Sequence, residues 1–98
     1  MGNNQGPRTK NEIGFAVCKT DDGRFVRGPV AEGTPLNVTI PLRCPPNSRI
    51  VGMVHTHPGG IPQPSEMDLA AAAKYNIANL CIAQPEDGVM NCFHRNND

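Results

Sequence analysis

The sequence has no tryptophan, and its four aromatic residues are Phe15, Phe25, Tyr75 and Phe93. A core must therefore be filled out by Val, Ile, Leu, Met and Ala. In a chain of 98 residues folding buries roughly 60–70% of the surface, which leaves stability modest and makes any bound metal matter to the fold. That length admits one domain and no second core. Neither sign of charge is in excess: nine Lys plus Arg face nine Asp plus Glu, and no run of either occurs. Nucleic acid and membrane surfaces are bound by clustered basic charge, so neither is an expected partner. No apolar stretch reaches the length of a membrane span, and the polar opening Met1 to Lys10 lacks the apolar centre of a signal peptide. The expected location is cytoplasmic. The four cysteines, Cys18, Cys44, Cys81 and Cys92, form no C-x-x-C pair, which argues against a structural zinc knuckle.

Gly and Pro, ten of each, are too few for low complexity and instead punctuate short elements. Residues 1–11 read as a flexible polar tail, and 12–98 as a single domain. From Glu12 to Cys18 the pattern alternates, with Ile13, Phe15 and Val17 on one face and Glu12, Gly14, Ala16 and Cys18 on the other, the period of a strand. Thr20-Asp21-Asp22-Gly23 signals a turn, and Arg24 to Val30 reads as the returning strand. Leu36 to Ile40, boxed by Pro35 and Pro41, reads as a third short strand.

Alternation resumes from Arg49 to His57, with Val51, Met53, His55 and His57 projecting together. After the Pro58–Pro64 loop, Ser65 is a strong N-cap, Glu66 and Asp68 suit a first helical turn, and Ala70 to Ala73 carry the helix to about Ile77. Asn79–Gln84 and Val89–His94 complete a hairpin around Pro85-Glu86-Asp87-Gly88. If Gln84 pairs with Val89, Cys81 stands opposite Cys92, at a distance a disulfide can span. In a cytosol both are expected to remain reduced. Cys18 and Cys44 carry no such geometric argument. The sum is an α+β domain: a mainly antiparallel, curved sheet with one main helix after the alternating strand that carries His55 and His57.

The chemistry concentrates in His55-Thr-His57-Pro-Gly-Gly-Ile-Pro-Gln-Pro-Ser65-Glu-Met-Asp68. Two histidines one residue apart on a strand share a face, with Cβ atoms about 6–7 Å apart, close enough for both rings to reach one ion. Asp68 follows a tight loop that can fold the first helical turn back over the strand end. Two nitrogen ligands and one oxygen ligand leave a position open for water, as catalytic zinc sites do and closed structural ones do not. Such an ion lowers the pKa of its water toward about 7. Each fragment has a plainer reading: a strand end for the histidines, and a helix cap with a dipole-favoured acid for Ser65 and Asp68. The lone His94 reads as a surface or half-buried residue, and Glu66 as a helix acid facing water.

The arrangement His55-x-His57-x7-Ser65-x2-Asp68 resembles the signature of the JAMM (JAB/MPN) metalloprotease family. Glu12-Ile13-Gly14-Phe15 is similar to the family's early glutamate strand. The resemblance implies one zinc per chain held by His55, His57 and Asp68. It also implies Glu12 as the group that moves the proton and Ser65 as a hydrogen-bonding partner of the water or oxyanion. Glu32 in Ala-Glu-Gly-Thr-Pro is the rival base. Only eleven polar residues precede Glu12, where familiar members have a helix, and no insertion for gripping a modifier is evident. The resemblance thus implies a minimal prokaryotic-type peptidase or isopeptidase. Its substrate would be the C-terminal tail of a small ubiquitin-like modifier, or a short peptide. A metal-stabilised docking scaffold without activity is the alternative, though the complete set His55, His57, Ser65 and Asp68 argues against it. A role on DNA is disfavoured by the charge balance. Oligomeric state is not legible.

Overall fold

The computed structural model describes residues 10–58 and 63–94. Most of the expected polar tail and the centre of the Pro58–Pro64 loop lie outside these residues. The elements are β1 (Ile13–Thr20), β2 (Phe25–Arg27), β3 (Ala31–Glu32), β4 (Ser48–Thr56), α1 (Glu66–Lys74), β5 (Asn79–Gln84) and β6 (Val89–His94). They form one sheet in the order β2-β1-β4-β5-β6, with β3 also pairing β1.

The α+β class holds, but the sheet is mixed. β4 and β5 run parallel, with Met53 opposite Leu80 and His55 opposite Ile82, and α1 makes the crossover that a parallel pair requires. All other pairs are antiparallel. The expected return strand Arg24–Val30 is shortened to β2, since Pro29 has no N–H to give a ladder, and a further short strand, β3, forms beyond it at Ala31–Glu32. Leu36 to Ile40 is not a strand. Leu36 is 89% exposed, and the prolines at 35, 41, 45 and 46 remove the donors that pairing would need. This segment instead crosses the face of the sheet, placing Ile40 and Leu42 against the core.

The helix stops at Lys74, short of Ile77, in a Schellman-type end. Asn76 takes φ 56°, its N–H reaches the Ala73 carbonyl, and the Ile77 N–H reaches that of Ala72. Ile77 is thereby turned into the core, where it joins Met53, Ala72, Leu80 and Ile82. In β1 the buried side chains are the small ones, Ala16 and Cys18, and Glu12 is buried just before the strand. Ile13 on the other face is exposed, and Phe15 and Val17 are half-buried.

The hairpin register is the expected one, Gln84 opposite Val89 and Cys81 opposite Cys92. The oxidation state differs from expectation, because Cys81–Cys92 and Cys18–Cys44 are both disulfides. Sequence spacing gave no reason to pair Cys18 with Cys44. The pairing follows from the 36–44 segment folding back over β1, which brings the two Cα atoms to 5.9 Å, within normal bridging distance.

Candidate metal centre

The centre forms where the end of β4, the start of β1 and the first turn of α1 meet. Antiparallel pairing sets Gly14 opposite His55, so Glu12, two residues earlier on the same face, lies over the His55 ring. Gly14 makes this possible, since a Cβ there would stand 2.9 Å from the His55 Cβ and 2.8 Å from Ile40 Cδ1. The backbone of Glu12 is tied down at both groups: its N–H donates to the Thr34 carbonyl and its carbonyl accepts from the Gly33 N–H, each at 2.9 Å. The start of β1 is further clipped to the end of β4 by the Ile13 N–H donating to Thr56 Oγ1.

Asp68 arrives from the helix. Ser65 Oγ accepts the Asp68 N–H at 3.1 Å, and Asp68 Oδ2 accepts the Ser65 N–H at 2.8 Å, a reciprocal capping box. This cap turns the Asp68 carboxylate toward the strand. Its Oδ1 lies 3.3 Å from His55 Nε2, and its Oδ2 lies 3.4 Å from His57 Nε2. On the opposite edge of the His55 ring, Nδ1 is 3.7 Å from Glu12 Oε1.

His55 is 4% exposed and Glu12 6%. Neither ring nitrogen of His55 has a hydrogen-bond partner, an expensive state for a buried imidazole. The electrostatics reflect this crowding. Burial raises the Glu12 pKa, an effect that His57 and His55 oppose and Asp68 reinforces. For His55, burial pulls the pKa down, but the carboxylates of Asp68 and Glu12 outweigh it and the net direction is up. Asp68 feels burial upward, yet His55 and the Ser65 hydrogen bonds hold its carboxyl at about 2.

Among the described residues, Glu12, His55 and His57 offer donor atoms that all lie within 4.8 Å of one another. Asp68 reaches both rings as well, through separate oxygens. Two nitrogens flanked by two carboxylates, with an orphaned buried imidazole at the centre, are a donor set that suits a divalent cation of the zinc type.

A family model described as prokaryotic homologs of the JAB domain matches residues 12–95. The chain belongs to this family. No curated protein and no solved structure gives a significant match. In this JAB-domain homolog the match begins at Glu12 itself and takes in His55, His57, Ser65 and Asp68.

The other sequence candidates lie elsewhere. Glu32 is exposed and accepts a hydrogen bond from Asn11 Nδ2 at 2.9 Å. His94 is exposed on β6, with Nδ1 2.9 Å from Asn79 Oδ1, and Glu66 is exposed on the helix. Sequence reasoning missed the wall beside the centre. Val38, Ile40, Leu42, Met53, Ala71 and Tyr75 line a cavity that His55 and Asp68 close at one end. Its signal is the alternating apolar pattern after Pro35, which locally reads as a strand. Among the described residues no helix is long and apolar enough to cross a membrane.

Proposed function

We propose that the protein is a zinc-dependent peptidase or isopeptidase that hydrolyses an amide bond, at the C-terminal tail of a small modifier protein or in a short peptide. The observation that carries this reading is His55, buried between two carboxylates with neither ring nitrogen hydrogen-bonded. His55, His57 and Asp68 would hold the ion. Zinc, when bound, supplies Lewis-acid polarisation and makes a water nucleophile available near neutral pH.

The chain's own residues divide the remaining work. Glu12 accepts the proton of the attacking water and returns it to the leaving amine, a role suited to a carboxylate whose pKa burial has raised. Its backbone anchors on Gly33 and Thr34 keep it in place for both transfers. Ser65 uses a lone pair to cap the helix, which leaves its hydroxyl proton to support the developing oxyanion of the carbonyl. Asp68 orients both imidazoles, and the capping box fixes Asp68.

The test combines metal analysis with hydrolysis of a panel of peptides and modifier fusions. Wild type is expected to purify with close to one zinc, and His57→Ala to lose it. Glu12→Gln is expected to keep the zinc and the fold while turnover falls by about 10²-fold or more, since an amide cannot accept the proton. Equal zinc in wild type and His57→Ala after dialysis would remove the ligand assignment. Zinc retained without turnover on any member of the panel would favour the docking-scaffold reading.

A further inference from the structure

The cavity beside the centre has walls of one kind. Val38, Ile40, Leu42, Met53 and Ala71, with the ring of Tyr75, line about 260 Å³, and the other polar liners are Thr39, His55 and Asp68. The volume falls below the roughly 300–1,000 Å³ of pockets that enclose a whole small molecule, and it suits a single side chain. A charged side chain placed there would lose its water along mostly apolar walls.

The walls are built rather than left over from loose packing. Four come from the 38–42 segment and the sheet, and two from α1 and its C-cap, Ala71 and Tyr75. The segment is fastened at both ends. Near its start, Gly33 and Thr34 exchange backbone hydrogen bonds with Glu12, and the Thr34 hydroxyl accepts the N–H groups of Leu36 and Asn37. Beyond its end, Cys44 is bonded to the buried Cys18 of β1. In the middle, Ile40 sits over Gly14 where any larger residue would collide with it. A wall tied at three points needs little ordering when a ligand enters, which is the condition for a preformed pocket.

We infer that this cavity is a specificity subsite that takes the uncharged aliphatic or aromatic side chain of the substrate residue flanking the scissile amide, with Ala71 setting its depth and Tyr75 its rim. Its biological meaning rests on the hydrolase reading above; its existence as a binding site does not. An amide whose side chain enters the cavity is held beside His55 and Asp68, so the same contact selects the residue and positions the bond.

The experiment needs no turnover. The full chain, isotopically labelled and as purified, is titrated with N-acetyl-leucinamide, N-acetyl-alaninamide and the amide of N-acetyl-aspartic acid, followed by two-dimensional NMR. Shifts from the leucyl probe are expected at Ile40, Leu42, Met53, Ala71 and Tyr75. Affinity should fall about tenfold or more for the alanyl probe, given what hydrophobic pockets gain per methylene. Ala71→Phe is expected to abolish the leucyl response while leaving the spectrum of β5 and β6 unchanged. Tyr75→Ser, at a rim position half exposed to solvent, should weaken it without threatening the core, and keeps the test decisive if Ala71→Phe does not fold. Equal responses to leucyl and aspartyl probes, shifts centred on Phe15 and Val54 instead, or full leucyl affinity in folded Tyr75→Ser would each overturn the inference. Absence of hydrolysis with a positive titration would count against the hydrolase reading alone.

Discussion

The two faces of the sheet differ in a way their side chains do not announce. One face carries Gly14, Ala16, Cys18, Met53, Leu80 and Ile82, with Glu12 and His55 at its end, and these residues are buried beneath α1 and the 38–44 segment. The other carries Ile13, Phe15, Val17, Val54 and Cys81, larger on β1 and yet exposed or half-buried. A size ranking along β1 alone would choose the wrong face as the core. The small residues are buried because they admit something else: Gly14 lets in Ile40 and His55, and Cys18 reaches Cys44. The covered face therefore holds both the core and the candidate chemistry, and the charged groups there depend on the same packing that stabilises the fold.

The largest expected contrast tests the two faces directly. Ile82→Ala, on the covered face and fully buried, should cost about 2–5 kcal/mol in urea denaturation. Val17→Ala, half-buried on the other face, should cost less than half as much. Equal losses would mean that the second face is covered too.

The disulfides offer the next comparison, one on each face. Loss of Cys18–Cys44 through a paired Cys→Ser change should cost about 3 kcal/mol from the unfolded-chain entropy alone. Under graded thiol reductant, Cys81–Cys92 should open first, because Cys92 is exposed whereas Cys18 is fully buried. Alkylation followed by peptide mass analysis reads the order, and unreduced protein should show no free thiol.

Gly14→Ala probes how closely the faces are packed. The added Cβ meets Ile40 and His55 below 3 Å. The expected cost is about 1–3 kcal/mol, with a drop in zinc affinity that a metal titration would detect. A stable variant with unchanged zinc affinity would show that the wall can retreat.

The smallest effect separates two roles of Ser65. Ser65→Ala should cost about 1 kcal/mol by removing the cap, and Ser65→Asn should cost far less because Asn also caps. If Ser65 serves only the helix, Ser65→Asn keeps its activity. If its hydroxyl also serves the oxyanion, Ser65→Asn is stable but slow.

The parts of this molecule legible in sequence were those governed by local rules. Alternation around His55 and His57 put both rings on one face, because side-chain direction in a strand has period two. Ser65 and Asp68 marked a helix start, because the first N–H groups of a helix need acceptors, and the structure adds that the same bonds aim Asp68 at the histidines. The length of the Pro85–Gly88 loop set Cys81 against Cys92, since hairpin register follows from the turn. Only the tertiary structure decided the rest. That Gly14 pairs with His55, and so that Glu12 and not Glu32 reaches the ring, depends on strand pairing across a long separation that no local pattern encodes. The parallel β4–β5 pairing, the loss of a strand at 36–40 and the Cys18–Cys44 bridge likewise come from how α1 and the proline-rich segment divide one face of the sheet. Periodicity marks which residues share a face, except across the register shift at Val51, where Ile50 and not Val51 packs against the core; the covering elements decide which face is buried.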